Sequence, residues 1–189
     1  MSAYPEILCG KAGRGNRPFV GQRHAQRREA GGDEQGTFSG AFEKMKETDD
    51  AQRFVVIDTN CLLQMIGRRS KYRKLWDAFL EGRFIWCVSD EILYEYEELV
   101  AQKVSSQAAE MLMYAFRMSL DVWLKNPYYH FHLIELDKDD NKFVDCAVIT
   151  NADYIVSEDT HFRILKDIPF PNVRIIRLND FAKDLGLDL

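Results

Sequence analysis

Four carboxylates fall near the ends of strand-like segments. Asp58 follows Phe54-Val55-Val56-Ile57, and Asp159 follows Tyr154-Ile155-Val156-Ser157. Asp140 opens a helical pattern, and Glu95 lies one to two turns into the helix after the second strand-like run. Like charges at short range repel and raise each other's pKa. Chains that gather carboxylates usually neutralise them with a hard divalent cation, and all-oxygen donors favour Mg²⁺ or Mn²⁺ over zinc. Beside a nucleic-acid phosphate, the chemistry of such a centre is hydrolysis.

Each signal alone is weak. Asp58-Thr59-Asn60 offers a carboxylate with a hydroxyl and an amide beside it, but aspartate after a strand is also a favoured helix N-cap. Asp137-Lys138-Asp139-Asp140-Asn141 packs three aspartates into four residues, more negative charge than a helix start requires. Ser157-Glu158-Asp159 repeats the strand-then-acid pattern, and together the three favour a site. Glu91, Glu95, Glu97 and Glu98 compete for the second position. The offset from Ser89 favours Glu95, with Glu91 one turn earlier on the same face as runner-up. Asp139 rivals Asp140, but Asp140 is one turn before Val144, which orders it against the buried face. Asp145 lies about 140° further round the helix and is not expected to share a metal. Glu158 is expected to face water. His130, His132 and His161 have no mutual ligand spacing and carry no assigned role.

The elements that must position these groups alternate. Apolar runs at 54–57, 84–88, 131–134, 154–156 and 173–176 read as strands. Helical patterns lie near 60–67, 71–81, 90–102, 105–121, 140–150 and 178–185. Ser89 with Asp90 and Glu91 suits one helix start, and Ser105 or Ser106 caps another. Alternation of this kind predicts an α/β chain with a parallel sheet and helices on both faces. In such sheets, sites form outside the C-terminal strand ends at the topological switch point.

The chain has 189 residues, 46% hydrophobic and 29% charged, enough for one domain and a tail. A net charge of −5 argues against broad charge-driven binding to nucleic acid but permits a local basic path. Arg68, Arg69, Lys71, Arg73 and Lys74 are the candidate phosphate contacts; the plainer reading is a solvated helix surface. Cys9, Cys61, Cys87 and Cys146 form no CxxC pair, and the last three lie in apolar runs, as buried thiols of a reducing compartment do. Trp76, Trp86 and Trp123, with Tyr128 and Tyr129, read as core or lid. No apolar stretch approaches the roughly 18 residues of a membrane span, and cytoplasm is the expected location. Residues 1–52 are rich in glycine and arginine without apolar periodicity, and are expected to be a disordered or non-native extension. The folded domain is expected over 53–189.

The segments Val56-Ile57-Asp58-Thr59-Asn60, Ser89-Asp90-Glu91-Ile92-Leu93-Tyr94-Glu95-Tyr96, Asp137-Lys138-Asp139-Asp140-Asn141-Lys142-Phe143 and Ile155-Val156-Ser157-Glu158-Asp159 occur in order. Together they resemble the four motifs of PIN-domain ribonucleases, most nearly the bacterial toxins of toxin–antitoxin pairs. The resemblance implies a three-layer α/β/α domain around a mainly parallel sheet of about five strands. It implies that Asp58, Glu95, Asp140 and Asp159 hold Mg²⁺ or Mn²⁺, with Asn60 and Ser157 as polar helpers. It also implies metal-dependent cleavage of RNA, a small antitoxin partner and a homodimer. The competing expectation is a PIN-like module that binds RNA or protein without cutting.

Overall fold

The computed structural model describes residues 52–135 and 137–189. The expectation for residues 1–52 therefore lies, Gln52 apart, outside the described residues.

Strands β1 (Arg53–Ile57), β2 (Phe84–Val88), β3 (Val122–Leu124), β4 (Tyr154–Val156) and β5 (Ile175–Ile176) form one sheet in the order β3-β2-β1-β4-β5. All four pairings are parallel, with Val55 opposite Trp86 on one side and Tyr154 on the other. The order reverses at β1, so the switch point lies between the C-terminal ends of β1 and β4. Helices α1 (Thr59–Ile66), α2 (Arg73–Leu80), α3 (Asp90–Lys103), α4 (Ser106–Met118), α5 (Asn141–Thr150) and α6 (Leu178–Asp184) flank the sheet in a three-layer α/β/α arrangement. A 3₁₀ helix, His161–Asp167, follows β4.

Val55, Val56, Ile57 and the whole of β4 are buried, which is why these strands read as unbroken apolar runs. Side chains cap the helices as their sequences suggest: Asp58 Oδ1 accepts from Asn60 N, Ser89 Oγ from Ile92 N, and Ser105 Oγ from Ala108 N. Ser105 is thus the cap of α4. Trp76 and Trp86 are core residues, fully buried with Phe79, Phe84 and Phe116. Phe79 and Trp86 meet edge-to-face at 5.0 Å, a favourable ring geometry. Cys61, Cys87 and Cys146 are buried free thiols.

One element differs from expectation. Residues 131–134 form no strand; the β3 position is taken by Val122–Leu124, which pairs with β2. The backbone of 131–134 bonds to side chains instead of a ladder. Phe131 N donates to Asp145 Oδ1 at 2.9 Å, and Asn141 satisfies both the N–H and the C=O of Ile134. His132 has φ 52°, a left-handed conformation that interrupts an extended run.

Candidate active site

Asp58 ends β1 and begins α1, so its side chain stands at the switch point with only 5% of its surface exposed. Ser157, at the same level after β4, donates from Oγ to Asp58 Oδ2 at 2.9 Å and accepts from Asp159 N at 3.0 Å. One hydroxyl therefore ties the first acid to the last across the two central strands. Asp159 Oδ1 also accepts from His161 N at 2.8 Å. Burial pushes the Asp58 carboxyl above its ordinary value, the Ser157 and Asn60 donors oppose this, and the charges of Glu95 and Asp159 add to it.

Glu95 comes from the second turn of α3. Its Oε1 accepts from Thr59 Oγ1 at 2.5 Å, and its Oε2 lies 2.5 Å from Lys142 Nζ, a cation only 11% exposed. Glu91, Glu97 and Glu98 are exposed. Asp140 immediately precedes α5. Its Oδ2 is buried without a hydrogen-bond partner among the described residues. Burial first, then the charges of Asp137, Asp58 and Asp159, push its carboxyl up to about 6, with His161 opposing. Asp139 is exposed.

The four sequence-predicted acids thus converge on one edge of the sheet, joined through Ser157, Thr59 and the mutual field of Asp58, Asp140 and Asp159. Several neighbours were not foreseen. His161 Nδ1 lies 3.5 Å from Asp140 Oδ2, 3.5 Å from Asp159 Oδ1 and 3.8 Å from Asp137 Oδ2. Asp137, Asp140 and His161 each offer a donor atom within 4.8 Å of the others, a grouping that could hold a metal ion. The orphaned Asp140 oxygen and the oxygen-rich donor set suit a hard divalent cation. The clue to His161 was its place two residues after Asp159; spacing among histidines carried no such clue. Lys142 and Thr59 likewise sit within two residues of candidate acids.

Other expectations fare differently. Asn60 is exposed and gives Asp58 only its backbone N–H, while the neighbouring Thr59 supplies the side-chain contact, to Glu95. Asp145 is turned away from the cluster, where it holds His130 Nδ1 at 2.8 Å and Phe131 N. Glu158 does not simply face water: it accepts from Leu178 N at the start of α6 and pairs with Arg177. Arg73 is committed to Asp77 and to the Ile66 carbonyl at the end of α1. Lys71 bonds Asn179 in the first turn of α6, and Lys74 bonds the Asp188 carbonyl. Arg68 and Arg69 remain exposed in the turn after α1.

A parallel α/β sheet with carboxylates converging on its switch point defines the class of protein. The PIN domain family model matches residues 54–161, over half the chain, and the protein belongs to the PIN-domain family. The match spans all four acids and ends at His161. Among solved structures, the chain is similar to one described as "Crystal structure of VapBC2 from Rickettsia felis bound to a DNA fragment from their promoter". The identity is 15%, with 66% of this chain and 98% of that chain covered and a TM-score of 0.48. No curated protein matches the chain. Among the described residues no helix is long and apolar enough to cross a membrane.

Proposed function

We propose that the protein is a metal-dependent endoribonuclease, with Asp58, Glu95, Asp140 and Asp159 as the acids of its active centre and Asp137 and His161 beside them. The observation that carries this reading is the buried, unpartnered Oδ2 of Asp140 in the field of three other carboxylates. Such an arrangement costs stability in the empty chain and is relieved by a cation. A bound Mg²⁺ or Mn²⁺ supplies Lewis-acid polarisation of a phosphate and acidification of water. The protein's own residues do the rest. Ser157 fixes the distance between the strand-end acids, Thr59 and Lys142 hold Glu95, and the β1/β4 edge keeps Asp58 nearly dry, which strengthens every charge interaction there. The water oxygen would bond to phosphorus as one P–O ester bond breaks, with a proton passing to the departing ribose oxygen, so no side-chain nucleophile is needed.

RNA is the substrate the family resemblance points to, in single-stranded or looped form, whose backbone can enter a crevice. The protein then acts as the toxin of a toxin–antitoxin pair in the cytoplasm, neutralised by a small protein partner. Tyr94 on α3 and Tyr114 and Met118 on α4 are exposed apolar side chains that such a partner or a second copy could cover. The test is incubation of labelled single-stranded RNA with the full chain in Mg²⁺, Mn²⁺ or EDTA. Cutting in metal that EDTA stops, leaving linear phosphate ends, supports hydrolysis by water. Ends bearing a 2′,3′-cyclic phosphate would show attack by the RNA's own 2′-hydroxyl and refute it.

A further inference from the structure

We propose that the cleft between the 3₁₀ helix and the β5–α6 connection is a phosphate-binding subsite, in which Arg163 and Lys166 hold the backbone of single-stranded RNA next to the acid cluster. This rests on the ribonuclease reading and deepens it by saying where the strand lies. The cleft has a volume of about 520 Å³ and opens directly beside Ser157 and Asp159. It lies outside the C-terminal ends of β4 and β5, the edge on which the acids converge.

The charges around it decide what it can take. Arg163, Lys166 and Arg177 face Glu158, Asp159 and Asp180. Arg177 is 3.8 Å from Glu158, and Asp180 is 3.6 Å from Lys183, so these carboxylates have cations of their own. Asp159 belongs to the candidate metal centre. Arg163 and Lys166 form no salt bridge among the described residues, and both are exposed. They stand three residues apart in a 3₁₀ helix, where side chains at that spacing eclipse with a rise of about 6 Å. That separation is close to the step between successive phosphates along a nucleic-acid strand. The floor, Ile175 and Ile176, is apolar and half-buried, a surface for sugar edges and bases rather than for charge. Two unpaired cations that line the same cleft as Asp159 therefore suit an anionic chain that runs on towards the acids. The basic run from Arg68 to Arg73 has no place in this cleft.

The test is fluorescence anisotropy of a labelled single-stranded RNA with the full chain in Ca²⁺ buffer, at several salt concentrations. Wild type is compared with Arg163→Gln/Lys166→Gln, with Arg163→Lys, and with Lys103→Gln at the far end of α3. Each variant is checked for folding by circular dichroism. Losing two single-strand phosphate contacts lowers the salt slope by about 1.4 and weakens binding roughly 10- to 30-fold at 0.1 M salt. Arg163→Lys and Lys103→Gln keep the wild-type slope. In Mg²⁺, the protein concentration for half-saturation of single-turnover cutting by the double variant rises by the binding factor. An unchanged slope in the double variant, or no RNA binding by wild type, overturns the subsite. RNA cutting that persists beside an unchanged slope leaves the ribonuclease reading standing, so the two failures are told apart.

Discussion

Asp140 carries a consequence for stability because its folded carboxyl titrates near 6, while an unfolded aspartate titrates near 4. Between those values the native chain holds the extra proton. Metal-free stability therefore falls as pH rises through this window and is lowest above it. Asp140→Asn removes the ionisation and keeps the shape. It should stabilise the metal-free protein at pH 7 by about 1 kcal/mol once solvent screening is allowed for, and by nothing near pH 4. Urea titrations at the two pH values read this directly; equal effects at both would sink it. Ser157→Ala acts in the opposite sense. It strips Asp58 Oδ2 of its donor and Asp159 N of its acceptor, and should cost about 1–3 kcal/mol in the same titration. The strand-end acids were legible because strand and acid are neighbours in the chain. His161 and Lys142 were not, because their closeness to Asp140 and Glu95 is created only when β4, α3 and α5 pack together.

Helices and most strands could be read because their apolar periodicity and caps are local. The exception shows the limit. Phe131-His132-Leu133-Ile134 has a strand's composition, yet Asn141 and Asp145 take up its backbone groups and β3 forms from Val122-Trp123-Leu124. Strand composition measures fitness for a half-buried surface, and which segment reaches the sheet is a tertiary outcome. The buried, doubly bonded Asn141 is the clearest element-scale pin. Asn141→Leu removes both bonds to Ile134 and leaves its buried N–H and C=O unpaired, at a cost of about 2–4 kcal/mol. Hydrogen exchange should show the 131–134 amides losing protection while β1 and β4 keep theirs; uniform loss would mean that the segment is not separately held. Gly82 is a second local pin. It turns α2 into β2 at φ +70°, and a Cβ there would lie 2.5 Å from Asp121 Oδ2. Gly82→Ala should lower stability by about 1 kcal/mol or more, read as a drop in Tm.

At the scale of the molecule, a net charge of −5 and a switch-point edge crowded with carboxylates set two tendencies against each other. The fold gathers the acids because β1 and β4 are neighbours; Lys142 offsets Glu95 and Ser157 donates to Asp58, and a bound cation or protons would relieve the rest. Divalent metal should therefore raise Tm, by the equivalent of about 2.7 kcal/mol at a hundredfold excess over the dissociation constant. That gain should shrink as pH drops below about 6, where Asp140 holds its proton. A metal effect on Tm that is the same at pH 5 and pH 8 would place the ion elsewhere. If the chain is a toxin, its expression in a bacterial host should arrest growth, and Asp58→Asn should not. The most direct test of the central claim is cleavage of labelled single-stranded RNA by the full chain in Mn²⁺, beside Asp58→Asn and Asp140→Asn. Cutting that either substitution lowers at least a hundredfold, in proteins shown to be folded, is the expected result. Cutting that survives both substitutions, or no cutting by wild type in any metal across several RNAs, would contradict it.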